Sequence, residues 1–367
     1  MQVAILGAGG VACAMAALLV SNGHQPVLWS PSGKGTHDLR GADLVASGAL
    51  DLRCRPRIAD DIAGAVSGAG AVVLALPANG HRAVIDGLVP HVQNGQTIIV
   101  SAQLSLGALY LFRALQAQGT AATVIAWGTT VVMGRRSGPT QVQIGGIRDR
   151  VETAILPPDH AEAGLTLCRT LFGDRFLLTP ALIAIALGNL NPPVHMANAL
   201  CNLTRIEKAE PWANYDGITP AVARLIEGLD AERLGLAADY GVQVRTVQTH
   251  FRQSFGLPDG LSLAQMAALV HQRRNGPPGP TDLSTRFVTE DLPFGIAQII
   301  ALAASRRMDV PLHQAGLRLF DALYGRDFAA ENNLLPRLDL SDPLLTAACQ
   351  PLAQALDADH DVPQDGM

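Results

Sequence analysis

Three stretches of this 367-residue chain hold residue types that could do chemistry. In the first, Gly188-Asn189-Leu190-Asn191-Pro192-Pro193-Val194-His195, two prolines stand just ahead of an imidazole. Proline breaks a helix interior but suits a first turn. Asn191 is therefore expected as an N-cap, with His195 held by a stiff helix start. An imidazole can take or give a proton near neutral pH, so His195 is a candidate acid–base group; a satisfied core histidine is the plain alternative. In the second, Arg286-Phe287-Val288-Thr289-Glu290-Asp291-Leu292-Pro293-Phe294-Gly295, two carboxylates precede a helix expected to start at Pro293. Alone, they are solvated charges at a helix N-terminus. Beside an imidazole, a carboxylate would fix its tautomer and stabilise the imidazolium.

The third stretch is Gly7-Ala8-Gly9-Gly10-Val11-Ala12, between the apolar run Val3–Leu6 and a helix of small residues reaching Val20. Gly7 allows the tight strand-to-helix turn, Gly9 lets a pyrophosphate approach the backbone, and Ala12 allows close helix–strand packing. With Gly10 they form the expected dinucleotide site, the phosphates resting on the helix N-terminus. An acidic residue for the ribose 2′-OH belongs about 20 residues further on. That place reads Trp29-Ser30-Pro31-Ser32-Gly33-Lys34, with two hydroxyls and a lysine. Ser30, Ser32 and Lys34 suit a 2′-phosphate, so NADP(H) is favoured over NAD(H); Asp38 or Asp43 serving a free ribose is the alternative. Pro77, which ends the strand-like run Ala71–Leu76 and opens Pro77-Ala78-Asn79-Gly80-His81, is expected near the nicotinamide half of the cofactor or else makes a surface turn.

The elements that must position these residues alternate. Helices are expected over Ile58–Val66, His81–Val89 and Leu104–Leu115, and strands over Ala71–Leu76, Thr97–Val100 and Thr123–Ala126. Strands apolar on both faces belong inside a parallel sheet. The fold class is therefore α/β: an N-terminal Rossmann doubly wound sheet over 1–179, then an all-α helical domain over 180–345 and a C-terminal tail over 346–367. Short strand-like pieces at Val142–Ile144 and Phe176–Leu178 and a helix near Ala161–Leu171 close the first half. Gly276-Pro277-Pro278-Gly279-Pro280 reads as a loop, and Asp357–Met367 as a frayed end.

A net charge of −5 and a pI near 6.0 offer no basic field for nucleic acid or an anionic membrane. No apolar run reaches the length of a membrane span, and the first strand starts at once, so a cytoplasmic protein is expected. The five cysteines are scattered without a C-x-x-C pair and the histidines lack ligand spacing, so no metal is expected.

Asn191-Pro192-x-x-His195 and Thr289-Glu290-Asp291-x-Pro293 behind a Rossmann domain resemble the opine dehydrogenase family, the octopine and nopaline dehydrogenases and their carboxyethyl-amino-acid relatives. Tyr215-Asp216-Gly217-Ile218-Thr219-Pro220 and Leu229-Asp230-Ala231-Glu232-Arg233-Leu234 also look like family stretches. The resemblance implies reduction, by a nicotinamide cofactor, of the imine formed between an α-keto acid and an amino acid. It makes His195 the catalytic histidine, Asp291 its partner, and Asn191 and Arg286 candidate substrate-binding residues. Arg135, Arg136, Arg205 and Arg286 are all candidates for a keto-acid carboxylate. Ala126-Trp127-Gly128-Thr129-Thr130 lacks the carboxylate expected of the family, which implies an altered substrate pocket. The small-molecule partners are an amino acid and an α-keto acid, with a homodimer expected. A β-hydroxy acid or ketopantoate-type NADPH-dependent reductase is the second reading, and a non-catalytic nucleotide sensor the third.

Overall fold

The computed structural model describes residues 1–274 and 277–349. Most of the expected tail, including the frayed end Asp357–Met367, lies outside the described residues, as does Gly276 of the proline-rich loop.

Strands β1 (Gln2–Leu6), β2 (Gln25–Trp29), β3 (Leu44–Gly48), β4 (Leu52–Cys54), β5 (Arg57–Ile58), β6 (Ala71–Leu74), β7 (Thr97–Val100), β8 (Thr123–Trp127), β9 (Val132–Gly138), β10 (Gln141–Ile147), β11 (Val151–Leu156) and β12 (Phe176–Leu178) form two sheets. The larger runs β12-β11-β8-β7-β6-β1-β2-β5 and is parallel from β5 to β8, while β11 pairs antiparallel with β8. Helix α1 (Gly10–Ser21) lies on one face, and α2 (Ile62–Val66), α3 (His81–Leu88) and α4 (Gly107–Gln118) lie on the other. Alternation along the strands feeds both cores: Val3 and Ile5 face the side of α1, and Ala4 and Leu6 the opposite side. Helix α5 (Ala161–Phe172) joins the α1 side.

The smaller sheet, β4-β3-β10-β9, packs on α1. The sequence signals little of it, because β9 alternates buried or half-buried residues with exposed Met133, Arg135 and Ser137 and so lacks an apolar run. The expected helix over Ile58–Val66 is instead the end of β5 followed by α2, whose start is set by Asp61 Oδ1 accepting from Gly64 N at 2.7 Å. The expected helix start at Leu104 moves to Gly107, because Ala102, Ser105 and Leu106 take left-handed backbone angles.

The second half is helical: α6 (Leu182–Gly188), α7 (Asn191–Cys201), α8 (Leu203–Glu207), α9 (Pro220–Asp239), α10 (Val247–Phe255), α11 (Leu263–Arg274), α12 (Arg286–Thr289), α13 (Ala297–Ser305) and α14 (Pro311–Tyr324). Pro293 does not open a helix. It lies in a π-helical turn, Leu292–Ile296, inside one helical run from Arg286 to Ser305. Proline lacks the N–H and its ring crowds the carbonyl four residues back; widening the turn relieves both. By length and composition this run could cross a membrane, yet 72% of its apolar window is buried inside the fold, as a core helix is.

Helix α1 meets β9 backbone to backbone: a Cβ on Gly10 would lie 2.4 Å from the Gly134 carbonyl oxygen, whereas one on Gly9 meets nothing within 4 Å. Overpacking costs about 1–3 kcal/mol, so Gly10→Ala should lose that much stability in denaturant unfolding. Gly9→Ala should lose less than about 1 kcal/mol while weakening dinucleotide binding. Equal stability losses would refute this division of labour.

Candidate functional site

Gly7 has φ +143°, and a Cβ there would stand 2.1 Å from the Ala75 carbonyl oxygen, so only glycine fits the turn. Gly9 is the N-cap of α1, with no side-chain cap bond, which leaves the helix's first N–H groups for an anion. Ala12 is fully buried between helix and sheet. The residues present therefore fit a dinucleotide pyrophosphate. Arg136 also belongs here: its guanidinium donates to the Ala8 carbonyl at 3.1 Å and the Gly35 carbonyl at 2.9 Å, tying the glycine turn to the loop after β2. The structure thus takes Arg136 out of the candidate carboxylate receptors. Arg135 and Arg205 are exposed.

A cavity of about 590 Å³ opens at the end of β2, lined by Ser30, Ser32, Gly33, Thr36 and Arg40 and also by Asp60 and Asp61. Ser30 Oγ is buried there without a hydrogen-bond partner among the described residues. Lys34 is exposed and does not line this cavity; Arg40, which no spacing rule points to, does, with one guanidinium nitrogen 2.7 Å from Asp60. Asp38 and Asp43 do not line it either, and Asp43 is held by Arg53 and Arg55.

His195 and Asp291, 96 residues apart, meet: the Nδ1–Oδ2 distance is 2.7 Å. The carboxylate accepts from Nδ1–H, which leaves Nε2 free of any described partner. The imidazole lies flat on Phe287, with ring centroids 3.7 Å apart and planes 6° apart. Asn191 is not the N-cap of α7. Leu190 holds that place, and Asn191, exposed, is the first helical residue, its N–H donating to Asn189 Oδ1 at 3.0 Å. With prolines as the next two residues, one of the two donors a capping side chain could serve is missing, and the other, Val194 N, already bonds the Leu190 carbonyl at 3.3 Å.

Glu290 and Asp291 are only 6% and 7% exposed, not solvated charges. Buried carboxylates need partners. Glu290 Oε1 accepts from Ala78 N at 3.0 Å, and its Oε2 accepts from Arg286 Nε at 2.5 Å. The Pro77–His81 turn at the end of the β6 segment thus meets the helical run of Glu290 and Asp291 through Ala78. His81 is buried with Nε2 on the Leu76 carbonyl, and burial pushes its pKa down, which keeps it neutral. Arg286 leaves most of its side chain exposed, 76%, beside the His195 pair. Phe287, Gly295 and the Glu290–Ala78 bond carry no signal in the sequence, because each acts through an approach between segments far apart in the chain.

A glycine-turn dinucleotide fold, docked on an imidazole–carboxylate pair from a helical half, defines an NAD(P)-dependent dehydrogenase. The family pattern described as NAD/NADP octopine/nopaline dehydrogenase, alpha-helical domain, matches residues 178–324, and that of the NAD-dependent glycerol-3-phosphate dehydrogenase N-terminus matches residues 2–106. The helical half thus matches the octopine/nopaline dehydrogenases, and the chain is an NAD(P)-dependent oxidoreductase acting on CH–NH bonds by reductive condensation. It is 28% identical to an opine dehydrogenase of Arthrobacter sp. (strain 1C), over 94% of this chain and 96% of the relative. Its fold resembles that of an octopine dehydrogenase solved with NADH and L-arginine, at 18% identity and a TM-score of 0.77, covering 94% of this chain and 98% of the other. It also resembles a yersinopine dehydrogenase solved with NADP+, at 18% identity and a TM-score of 0.70, covering 92% and 97%.

What lets α7 approach the helix of Asp291 is Gly295, where a Cβ would sit 2.3 Å from Pro192 Cγ. Gly295→Ala must push the two apart. Turnover should fall at least tenfold and stability by about 1–3 kcal/mol, while cofactor affinity at the distant glycine turn is kept. A Gly295→Ala enzyme with parent turnover would show that this contact does not set the pair's geometry.

Proposed function

We propose that His195 is the acid–base group of the reductive condensation, that Asp291 orients it, and that Arg286 takes a substrate carboxylate. The observation that carries this reading is the 2.7 Å bond from His195 Nδ1 to a buried carboxylate, with Nε2 left free. Joining an amine to a keto acid expels water and needs a proton at the departing oxygen. His195 Nε2, as the imidazolium, can give it, and Asp291 stabilises the charged ring in the meantime. The nicotinamide cofactor supplies the hydride when bound. The free face of the exposed Arg286 guanidinium matches a carboxylate's fork geometry, while Glu290 anchors its other side. The competing hydroxy-acid reductase reading is left with likeness of fold alone.

NADPH is proposed as the preferred reductant and an amino acid with an α-keto acid as the substrates. Supporting the cofactor choice are the cavity at Ser30 and Ser32, the unpartnered Ser30 hydroxyl, and Arg40 in the place where Lys34 was expected to act.

General acid–base catalysis is worth about 10²–10⁴-fold, so His195→Ala should lower kcat by that order with cofactor affinity nearly unchanged. Asp291→Asn should also slow turnover, and the double variant should lose far less than the product of the two single losses. Multiplicative losses would overturn the pairing, and a His195→Ala enzyme at the parent rate would make His195 a core histidine. For the cofactor, KM should be clearly lower for NADPH than for NADH. A charge-assisted bond is worth about 1.5–3 kcal/mol, so Arg40→Ala should shrink that preference by roughly 10- to 150-fold. A parent enzyme that prefers NADH, or an Arg40→Ala enzyme with an unchanged ratio, would overturn the assignment.

A further inference from the structure

Where β10 gives way to β11, a group of charges joins the two halves. Arg245 pairs with Glu152 at 2.9 Å. Arg233, with no exposed surface, is held by Asp230 at 2.6 Å and by the Leu187 and Arg245 carbonyls. Asp230 also accepts from Val247 N at 2.9 Å. Both acids are thus committed to their own arginines. Arg148 is the third cation of the group. Half-buried, it has no carboxylate partner among the described residues, and its Nε is buried without a hydrogen-bond partner. His250 Nδ1, in the same electrostatic group, is also buried and unpartnered.

The group lies between the carboxyl end of β8 and the end of α6, which leads into α7. Arg148 N donates to the Val131 carbonyl at 3.0 Å, just past the loop Gly128–Thr130 that leaves the carboxyl end of β8. In open α/β sheets, ligands bind outside the carboxyl ends of the strands. Glu152 reaches the other wall: its Cβ lies 3.6 Å from a Cβ placed on Gly128, and its Oε2 lies 3.3 Å from one placed on Gly188, shortly before α7. Tyr215, which interacts electrostatically with Arg148, follows Asn214, and Asn214 accepts from Asn198 Nδ2 at 2.8 Å. Asn198 stands three residues after His195, on the same side of α7.

We infer that Arg148, with His250 beside it, receives an anionic side chain of the amine-bearing substrate, so that the amino acid condensed here is a dicarboxylic one. A guanidinium taken out of water without a counter-charge is costly, and a carboxylate from the substrate is the partner that would relieve it. Arg286 lies next to the reacting pair and serves a carboxylate adjacent to the reacting atoms; Arg148, reached past the Gly128–Thr130 loop, suits one a few bonds further out. Burial, reinforced by Arg245, Arg148 and Arg233, pushes the His250 pKa down to about 4, which registers the surplus positive charge and leaves a neutral imidazole able to donate one hydrogen bond. The carboxylate missing from Ala126–Thr130 fits the same picture: this stretch itself offers no counter-charge to a cationic side chain.

This inference rests on the opine reading, and the experiment separates the two. NADPH and NADH oxidation are measured with a panel of α-keto acids against L-glutamate, L-aspartate, their amides L-glutamine and L-asparagine, L-arginine and L-norvaline. An acid should exceed its own amide at least tenfold in kcat/KM. Arg148→Met should lower kcat/KM for the acid roughly 10- to 100-fold and change that for the amide less than threefold, while Arg148→Lys should restore part of the acid's rate. Preference for neutral or basic amino acids, or an Arg148→Met loss equal for acid and amide, would overturn the inference and leave the opine reading standing. No amino acid raising the rate above that with keto acid alone would overturn both. Should Arg148→Met fail to fold, the acid-to-amide ratio of Arg148→Lys decides: an unchanged ratio overturns the assignment, and a ratio reduced several-fold supports it.

Discussion

The site depends on one close approach, that of Pro192 on α7 to Gly295 in the π-helical turn. A side chain at 295 would overlap the proline ring, so the glycine sets how near the two helices come, and with that whether an imidazole on one can bond a carboxylate on the other. The proline at the π turn and the proline at the start of α7 both stiffen the pieces brought together. Stiff pieces in close contact are how a hydrogen-bonded pair holds its geometry when the partners stand 96 residues apart.

A buried polar network then locks the cofactor half onto this turn. Ser105 Oγ donates to the Phe294 carbonyl at 2.7 Å, Leu106 N donates to Gln298 Oε1 at 3.2 Å, and Asn332 Nδ2 bonds both Ser105 Oγ and the Pro293 carbonyl. Widening a helical turn leaves carbonyls in need of donors, and these side chains meet that need. The loop from Ala102 to Leu106 holds three non-glycine residues at positive φ, a strain of order 1–3 kcal/mol each that persists because the surrounding bonds over-determine it. The strained loop, the π turn and the pair form one unit.

Electrostatics at the two ends of the site differ in kind. Around His195 each buried carboxylate has its partner, so charge is held in place there. At the end of β2 and at Arg148, by contrast, polar atoms are buried without partners. Proteins seldom leave such groups unmet, which is why a ligand is proposed at each.

Periodicity and glycine spacing in the sequence alone determined the dinucleotide half: β1, the turn at Gly7–Ala12 and α1 are local structures whose rules span a few residues. The parallel order of β6, β7 and β8 was legible for the same reason, as strands apolar on both faces. Family resemblance, and not periodicity, joined His195 to Asp291. What only the tertiary structure decided depends on contacts between distant segments. The second sheet stayed hidden because β9 is half polar. Pro293 reads as a helix start, yet its π turn is possible only because Asn332 and Ser105 arrive to satisfy it. Asn191 reads as a cap, yet Pro193 removes one donor it could serve and Leu190 takes the cap place, its carbonyl accepting from the other, Val194 N. Lys34 stands nearer than Arg40 to the expected ribose position in sequence, yet the fold carries Arg40 to the cavity, because the chain turns back there and proximity in space no longer follows order along the chain.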